Sequence, residues 1–116
     1  MKVYYLSTCD TCKRIMKEVG VDNMEQQDIK TNPISEDQYD ELRILVESPK
    51  DLLNTRARKL RELNLTDDDY TDEKLKKLIL EEYTFLKRPV FIEDNHLFIG
   101  NSKKTIEALK QFISEK

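Results

Sequence analysis

Cys9 and Cys12 are the only cysteines in the chain, and they stand three residues apart. A short apolar run that is typical of a strand ends just before them, and a helical pattern begins at the pair. The unpaired N–H groups and the dipole of a helix start favour an anion. We therefore expect the pKa of Cys9 to fall from about 8.5 into the range of roughly 3.5–7.5. Cys9 is the predicted nucleophile, and Cys12, less exposed at the start of the apolar stripe, is the predicted resolving cysteine.

Three other interpretations of the cysteine pair remain. A zinc site needs about four ligands, and the chain adds only His96, its one histidine, so no metal is predicted. His96 follows a polar hairpin turn and is expected to be an exposed bystander. A structural disulfide is disfavoured in a reducing compartment, and two inert helix cysteines are the remaining alternative. The position of Cys9 at a helix start favours redox chemistry, with no bound cofactor.

Arg88 and Pro89 stand at the start of a predicted β-hairpin, 89–92 and 96–99. In folds that open with a strand and a helix in this way, such a hairpin lies beside the first strand. Pro89 has two interpretations at this point: an ordinary trans proline at a strand's first position, or a cis peptide that shapes a substrate platform. Arg88 would bring a fixed cation toward Cys9 or toward an anionic substrate.

Arg56 is a second candidate anion ligand. Counting i, i+4 and i+7 along a helix predicted over 55–65 places Arg56 on the inward face with Leu60 and Leu63. An arginine on a buried face needs an anionic partner. That partner is either an internal carboxylate or a bound anion, and the residues alone leave both open.

The order of predicted elements is β-α-β, then a helical block, then β-β-α. The opening strand, helix and second strand predict a right-handed parallel βαβ unit, with Gly20 ending the helix. In the helical block, Ser35 with Gln38 predicts a capping box, and Thr71 predicts the start of a further helix.

Composition narrows the functional classes. The 116 residues are 38% hydrophobic and 37% charged, with a net charge of −3. Because basic and acidic residues are interspersed, no direct nucleic-acid contact is predicted. No apolar run reaches the roughly 18 residues of a membrane span, and the first residues do not resemble a secretory signal. We expect a single-domain cytoplasmic protein.

Four segments together resemble the arsenate reductase (ArsC) family, in its glutaredoxin-coupled branch that includes Spx and YffB-like proteins. They are CDTCK at 9–13, LLNTR at 52–56, KRP at 87–89 and GNS at 100–102. The resemblance implies an α/β, thioredoxin-like fold with a mixed four-stranded sheet and a helical insertion. The thioredoxin-like parts would cover about 1–30 and 86–116, and the insertion about 31–85, within one domain over 1–116. It also implies that Arg88 precedes a cis Pro89 and that Cys9 is the nucleophile.

The function expected from this resemblance is that of a thiol–disulfide oxidoreductase similar to arsenate reductase. Its substrate would be a disulfide, a glutathione adduct or an oxyanion, whose negative charge Arg88 and Arg56 would hold. Glutathione, glutaredoxin or thioredoxin would be the external reductant. The alternative is an Spx-like redox-sensing transcriptional regulator that binds the α subunit of RNA polymerase. Neither function calls for a membrane.

Overall fold

The computed structural model describes residues 1–116. By internal packing the chain forms a sheet unit, Met1–Asn32 with Arg88–Lys116, and a helical unit, Pro33–Lys87. The helices and strands follow in chain order: β1 (Lys2–Tyr5), α1 (Asp10–Val19), β2 (Glu25–Asp28), α2 (Glu36–Arg43), α3 (Arg58–Glu62), α4 (Asp72–Glu81), β3 (Val90–Glu93), β4 (His96–Ile99) and α5 (Lys103–Ser114). Short 3₁₀ turns cover Pro49–Leu52, Asp67–Asp69 and Tyr83–Phe85. None of the helices has the length and hydropathy of a membrane span.

The sheet unit contains one mixed four-stranded sheet in the order β2-β1-β3-β4. β1 pairs in parallel with β2 and antiparallel with β3, and β3 pairs antiparallel with β4. The predicted α/β, thioredoxin-like fold with its βαβ opening and terminal hairpin is confirmed. Because β1 is central, its carboxyl end lies beside the end of β2 and the start of β3.

The core of the sheet unit lies between the sheet and its two helices. Val3 on β1 and Phe91 on β3 are direct neighbours in register, and they pack with residues of α1 and α5. The complete buried cluster is Val3, Ile15, Met16, Phe91, Ile106 and Leu109. The helical spacing predicted for the first helix is therefore confirmed, and Gly20 ends it with a φ of 80°, which favours glycine.

In the helical unit, the predicted helix starts at Ser35 and Thr71 are confirmed. The Ser35 side chain accepts from the Gln38 backbone N–H, and the Gln38 side chain accepts from the Ser35 N–H, which completes the capping box. Thr71 caps α4 through the N–H of Lys74. These caps satisfy N–H groups that a helix start would otherwise leave unpaired.

The helix predicted over 55–65 is wrong in its extent and in its inward face. α3 spans only Arg58–Glu62, Arg56 is exposed in the turn before it, and Leu63 is 48% exposed. The cause is local: the Asn54 side chain accepts from the backbone N–H of Arg56 at 3.2 Å. This turn competes with the helix, which therefore begins at Arg58, and the side chain that is buried at its start is that of Ala57 and not that of Arg56.

Candidate thiol site

Cys9 is the N-cap residue of α1. A turn over Leu6–Cys9, called here the cysteine turn, connects β1 to this helix, and the Cys9 N–H donates to the Leu6 carbonyl at 3.0 Å. The backbone of Cys9 is extended, at φ −98° and ψ 110°, so that its side chain points back over the helix start. Its Sγ accepts from the Cys12 N–H at 3.5 Å. A sulfur therefore takes the place that a hydroxyl or carboxylate oxygen usually occupies at an N-cap.

The surroundings of Cys9 favour the thiolate. Partial burial raises the pKa of Cys9, but this is outweighed by hydrogen bonds from the Cys12 backbone and thiol and by the charge and hydrogen bond of the Arg88 guanidinium. The net result is a pKa below that of an ordinary cysteine. The lowered pKa expected from the sequence is thus confirmed in direction; the Cys12 hydrogen bonds contribute most to it, and Arg88, 79 positions away in the chain, adds to it.

Cys12 has the opposite character. Its side chain is completely buried, and this burial raises its pKa to about 12; a hydrogen bond from the Leu6 backbone lowers the pKa, the neighbouring Cys9 raises it, and the charge of Arg88 lowers it slightly. Both cysteines are free thiols. The site therefore combines one accessible, acidic sulfur with one buried sulfur that keeps its proton.

Arg88 and Pro89 lie beside this pair because β3 is the antiparallel neighbour of β1. The Arg88–Pro89 peptide bond is cis, as the family resemblance implies. The Pro89 carbonyl accepts from the Gly100 N–H at 3.0 Å, which extends the β-hairpin pairing by one step. The sheet thus fixes the backbone that carries the guanidinium to Cys9.

Comparison with known proteins places this geometry in a family. The model of the ArsC family matches residues 4–109. The chain belongs to the ArsC family. Global transcriptional regulator Spx 2 of Oceanobacillus iheyensis is 28% identical over 116 residues, which covers 97% of this chain and 83% of that protein.

Solved structures agree on the fold. An ArsC family related protein from Bacteroides fragilis superposes with a TM-score of 0.77 at 20% identity, covering 93% of this chain and 95% of the other. Arsenate reductase from Vibrio cholerae superposes with a TM-score of 0.76 at 15% identity, covering 95% and 97%. At these identities the likeness shows a shared fold and leaves the activity of this ArsC-family chain to chemical argument.

Two further residues considered from the sequence have different surroundings. Arg56 is exposed and belongs to the helical unit, and its role as an anion ligand stays a prediction. His96 is exposed as expected, and its ring packs on that of Phe112 at 4.6 Å between centroids. No three His, Cys, Asp or Glu side chains are grouped so that they could hold a metal ion.

Sequence reasoning missed the residues that hold the cysteine turn. The Leu6 N–H donates to the Cys12 sulfur, while its carbonyl accepts from Cys9. Asp28, at the end of β2, accepts from the Ser7 N–H through Oδ1 at 3.2 Å. The available signal was an acidic residue at the end of the strand predicted to lie parallel to β1.

Proposed function

We propose that this ArsC-family protein is a thiol–disulfide oxidoreductase in which Cys9 is the nucleophile and Cys12 the resolving cysteine. The observation that carries the proposal is the convergence of the Cys12 N–H and the Arg88 guanidinium on the Cys9 sulfur, which lowers its pKa. The thiolate is the reactive form of cysteine in exchange reactions. An accessible thiolate beside a buried thiol is the arrangement that such a reaction requires.

The first step is attack of the Cys9 thiolate on one sulfur of a substrate disulfide or glutathione adduct. The substrate S–S bond breaks, a mixed disulfide forms on Cys9, and the leaving thiolate takes a proton from solvent. In the second step Cys12 loses its proton and attacks the Cys9 sulfur. The S–S bond between Cys9 and the substrate breaks, the internal disulfide forms, and the second substrate half leaves as a thiolate that takes up a proton. The substrate gains two electrons, and the cysteine pair gives up two.

The raised pKa of Cys12 favours this order of events. Burial is its main cause, and the adjacent Cys9 adds to it by hydrogen bond and by charge. When Cys9 enters a mixed disulfide its negative charge is gone, so the contribution of that charge disappears. Cys12 therefore becomes more acidic after the first step. We propose glutathione, glutaredoxin or thioredoxin as the external reductant that returns the pair to the thiol form.

The test is a single-turnover reaction of the reduced protein with oxidised glutathione, followed by intact-mass spectrometry. We expect the wild type to end with an internal disulfide and to be about two mass units lighter than the reduced protein, because the pair loses two protons and gives two electrons to the oxidised glutathione. Cys12→Ser should stop as a glutathione adduct on Cys9, and Cys9→Ser should show no adduct. If Cys9→Ser reduced oxidised glutathione as fast as the wild type, Cys9 would not be the nucleophile and the proposal would be refuted.

A second candidate function is favoured by one observation, the likeness to global transcriptional regulator Spx 2. Under it, the same cysteine pair would sense oxidation and alter binding to the α subunit of RNA polymerase. Capture of purified α subunit by the oxidised and the reduced protein separates the two functions. Redox-dependent capture without catalytic turnover would support the regulator, and turnover without capture would support the enzyme.

A further inference from the structure

Asp28 ends β2 and reaches across to the cysteine turn. Its Oδ1 accepts from the Ser7 N–H at 3.2 Å and from the Lys30 N–H at 3.1 Å. The Ser7 hydroxyl also donates to this carboxylate. Desolvation by burial raises the pKa of Asp28, but the hydrogen bonds from Ser7 and Lys30 and the charge of Lys30 outweigh it and keep this pKa below its usual range. The carboxylate is therefore ionised throughout the pH range in which a cysteine titrates.

The turn that Asp28 holds controls both sulfurs. Ser7 is the second residue of the cysteine turn, which the Cys9 N–H closes on the Leu6 carbonyl. The same Leu6 residue donates its N–H to the Cys12 sulfur. A shift of this turn would move the N-cap geometry of Cys9 and the contact to Cys12 together. Nothing else on β2 donates to or accepts from Ser7.

We propose that Asp28 is a positioning residue: by binding the Ser7 N–H and hydroxyl it holds the cysteine turn in the conformation that places the Cys9 sulfur at the N-terminus of α1. This inference rests on the proposed function for its significance, because it concerns how the reactive thiolate is maintained. It assigns Asp28 no contact with substrate. Its contribution is geometric, and the negative charge of the carboxylate is not what Cys9 requires.

The variants separate geometry from charge. Asp28→Asn keeps an Oδ1 acceptor for both backbone N–H groups and removes the charge. Asp28→Ala removes the acceptor and the charge, and Asp28→Ser serves the same purpose with a short polar side chain if the alanine variant does not fold. Glu25→Ala is the matched control, because it removes one acidic charge from the exposed part of the same strand.

The measurement is the pH dependence of alkylation of Cys9 by iodoacetamide in the full chain, with the far-UV circular dichroism spectrum as the check of folding. We expect Asp28→Ala and Asp28→Ser to raise the pKa of Cys9 by half a unit or more, a loss of about threefold in thiolate below that pKa. Asp28→Asn and Glu25→Ala should stay within about 0.2 units of the wild type.

Two results would overturn the proposal. An unchanged alkylation profile in a folded Asp28→Ala or Asp28→Ser would show that the turn does not need the carboxylate. An equal rise of the pKa of Cys9 in Asp28→Asn would show that a neutral acceptor cannot hold the turn and that the charge of the carboxylate is required. Because alkylation reports the thiolate without any substrate, failure of the proposed function has a separate signature: an intact low pKa of Cys9 with no reduction of oxidised glutathione.

Discussion

Removal of the Arg88 charge should raise the pKa of Cys9 in a measurable way. The guanidinium acts on the sulfur by charge and by hydrogen bond. Two unit charges about 4 Å apart interact by about 1 kcal/mol in water and about 4 kcal/mol at an effective dielectric constant of about 20. One pKa unit corresponds to about 1.36 kcal/mol. Since Cys9 is partly exposed, the lower part of this range applies, and Arg88→Met should raise its pKa by about one unit.

Alkylation with iodoacetamide measures this effect on Cys9 alone. Cys12 is completely buried and has a pKa of about 12, so it does not compete below pH 9. Arg88→Lys keeps the charge and should recover much of the shift, whereas Arg14→Met removes an equal charge from the exposed face of α1 and serves as the control. If Arg88→Met titrates like the wild type, the guanidinium does not stabilise the thiolate and the electrostatic reasoning fails.

Three further predictions concern stability. Tyr39→Phe should leave the free energy of unfolding unchanged or raise it by about 1 kcal/mol in urea titration, because the buried Tyr39 hydroxyl has no hydrogen-bond partner; a loss of stability would contradict this. Ser35→Ala should lower it by about 1 kcal/mol, since it breaks the capping box with Gln38, and an unchanged urea midpoint would count against that cap. Cys12 has its pKa raised in the folded state, so above pH 8.5 the unfolded chain releases a proton that the native state keeps. Between pH 8.5 and 10.5 the wild type should lose up to about 2 kcal/mol more than Cys12→Ala, and parallel curves would be the opposing result.

The elements whose pattern is local could be predicted from the sequence. The stripe of α1, with Cys12 and Ile15 buried, follows from a period of 3.6 residues, and the hairpin follows from two apolar runs around a polar turn. The inward placement of Arg56 failed for an equally local reason. A hydrogen bond from its N–H to the Asn54 side chain replaces the first helical turn, and periodicity counted along a helix does not include side chains that compete for the backbone.

The contacts that make Cys9 reactive could not be predicted in the same way, because they depend on the order of the strands. Cys9 follows β1, Asp28 ends the parallel β2, and Arg88 precedes the antiparallel β3, so the sheet brings all three to one edge. The hairpin predicted that Arg88 would come near Cys9 only on the assumption that β3 lies beside β1. The predicted parallel βαβ unit brings the end of β2, and so Asp28, near the end of β1, but an acidic residue at a strand end has no periodicity to single it out.

The same strand order divides the support of the thiolate into two separable parts. Arg88 acts on the sulfur itself by charge, from the β3 side, so its effect should weaken as salt screens the pair. Asp28 acts on the backbone of the cysteine turn from the β2 side, through hydrogen bonds that a neutral amide can replace. Because Arg88 acts on the sulfur and Asp28 on the backbone of the turn, the effects of changing the two residues on the pKa of Cys9 are expected to be coupled only through the sulfur of Cys9. A central strand with one parallel and one antiparallel neighbour therefore allows the charge and the geometry of the thiolate to be altered independently.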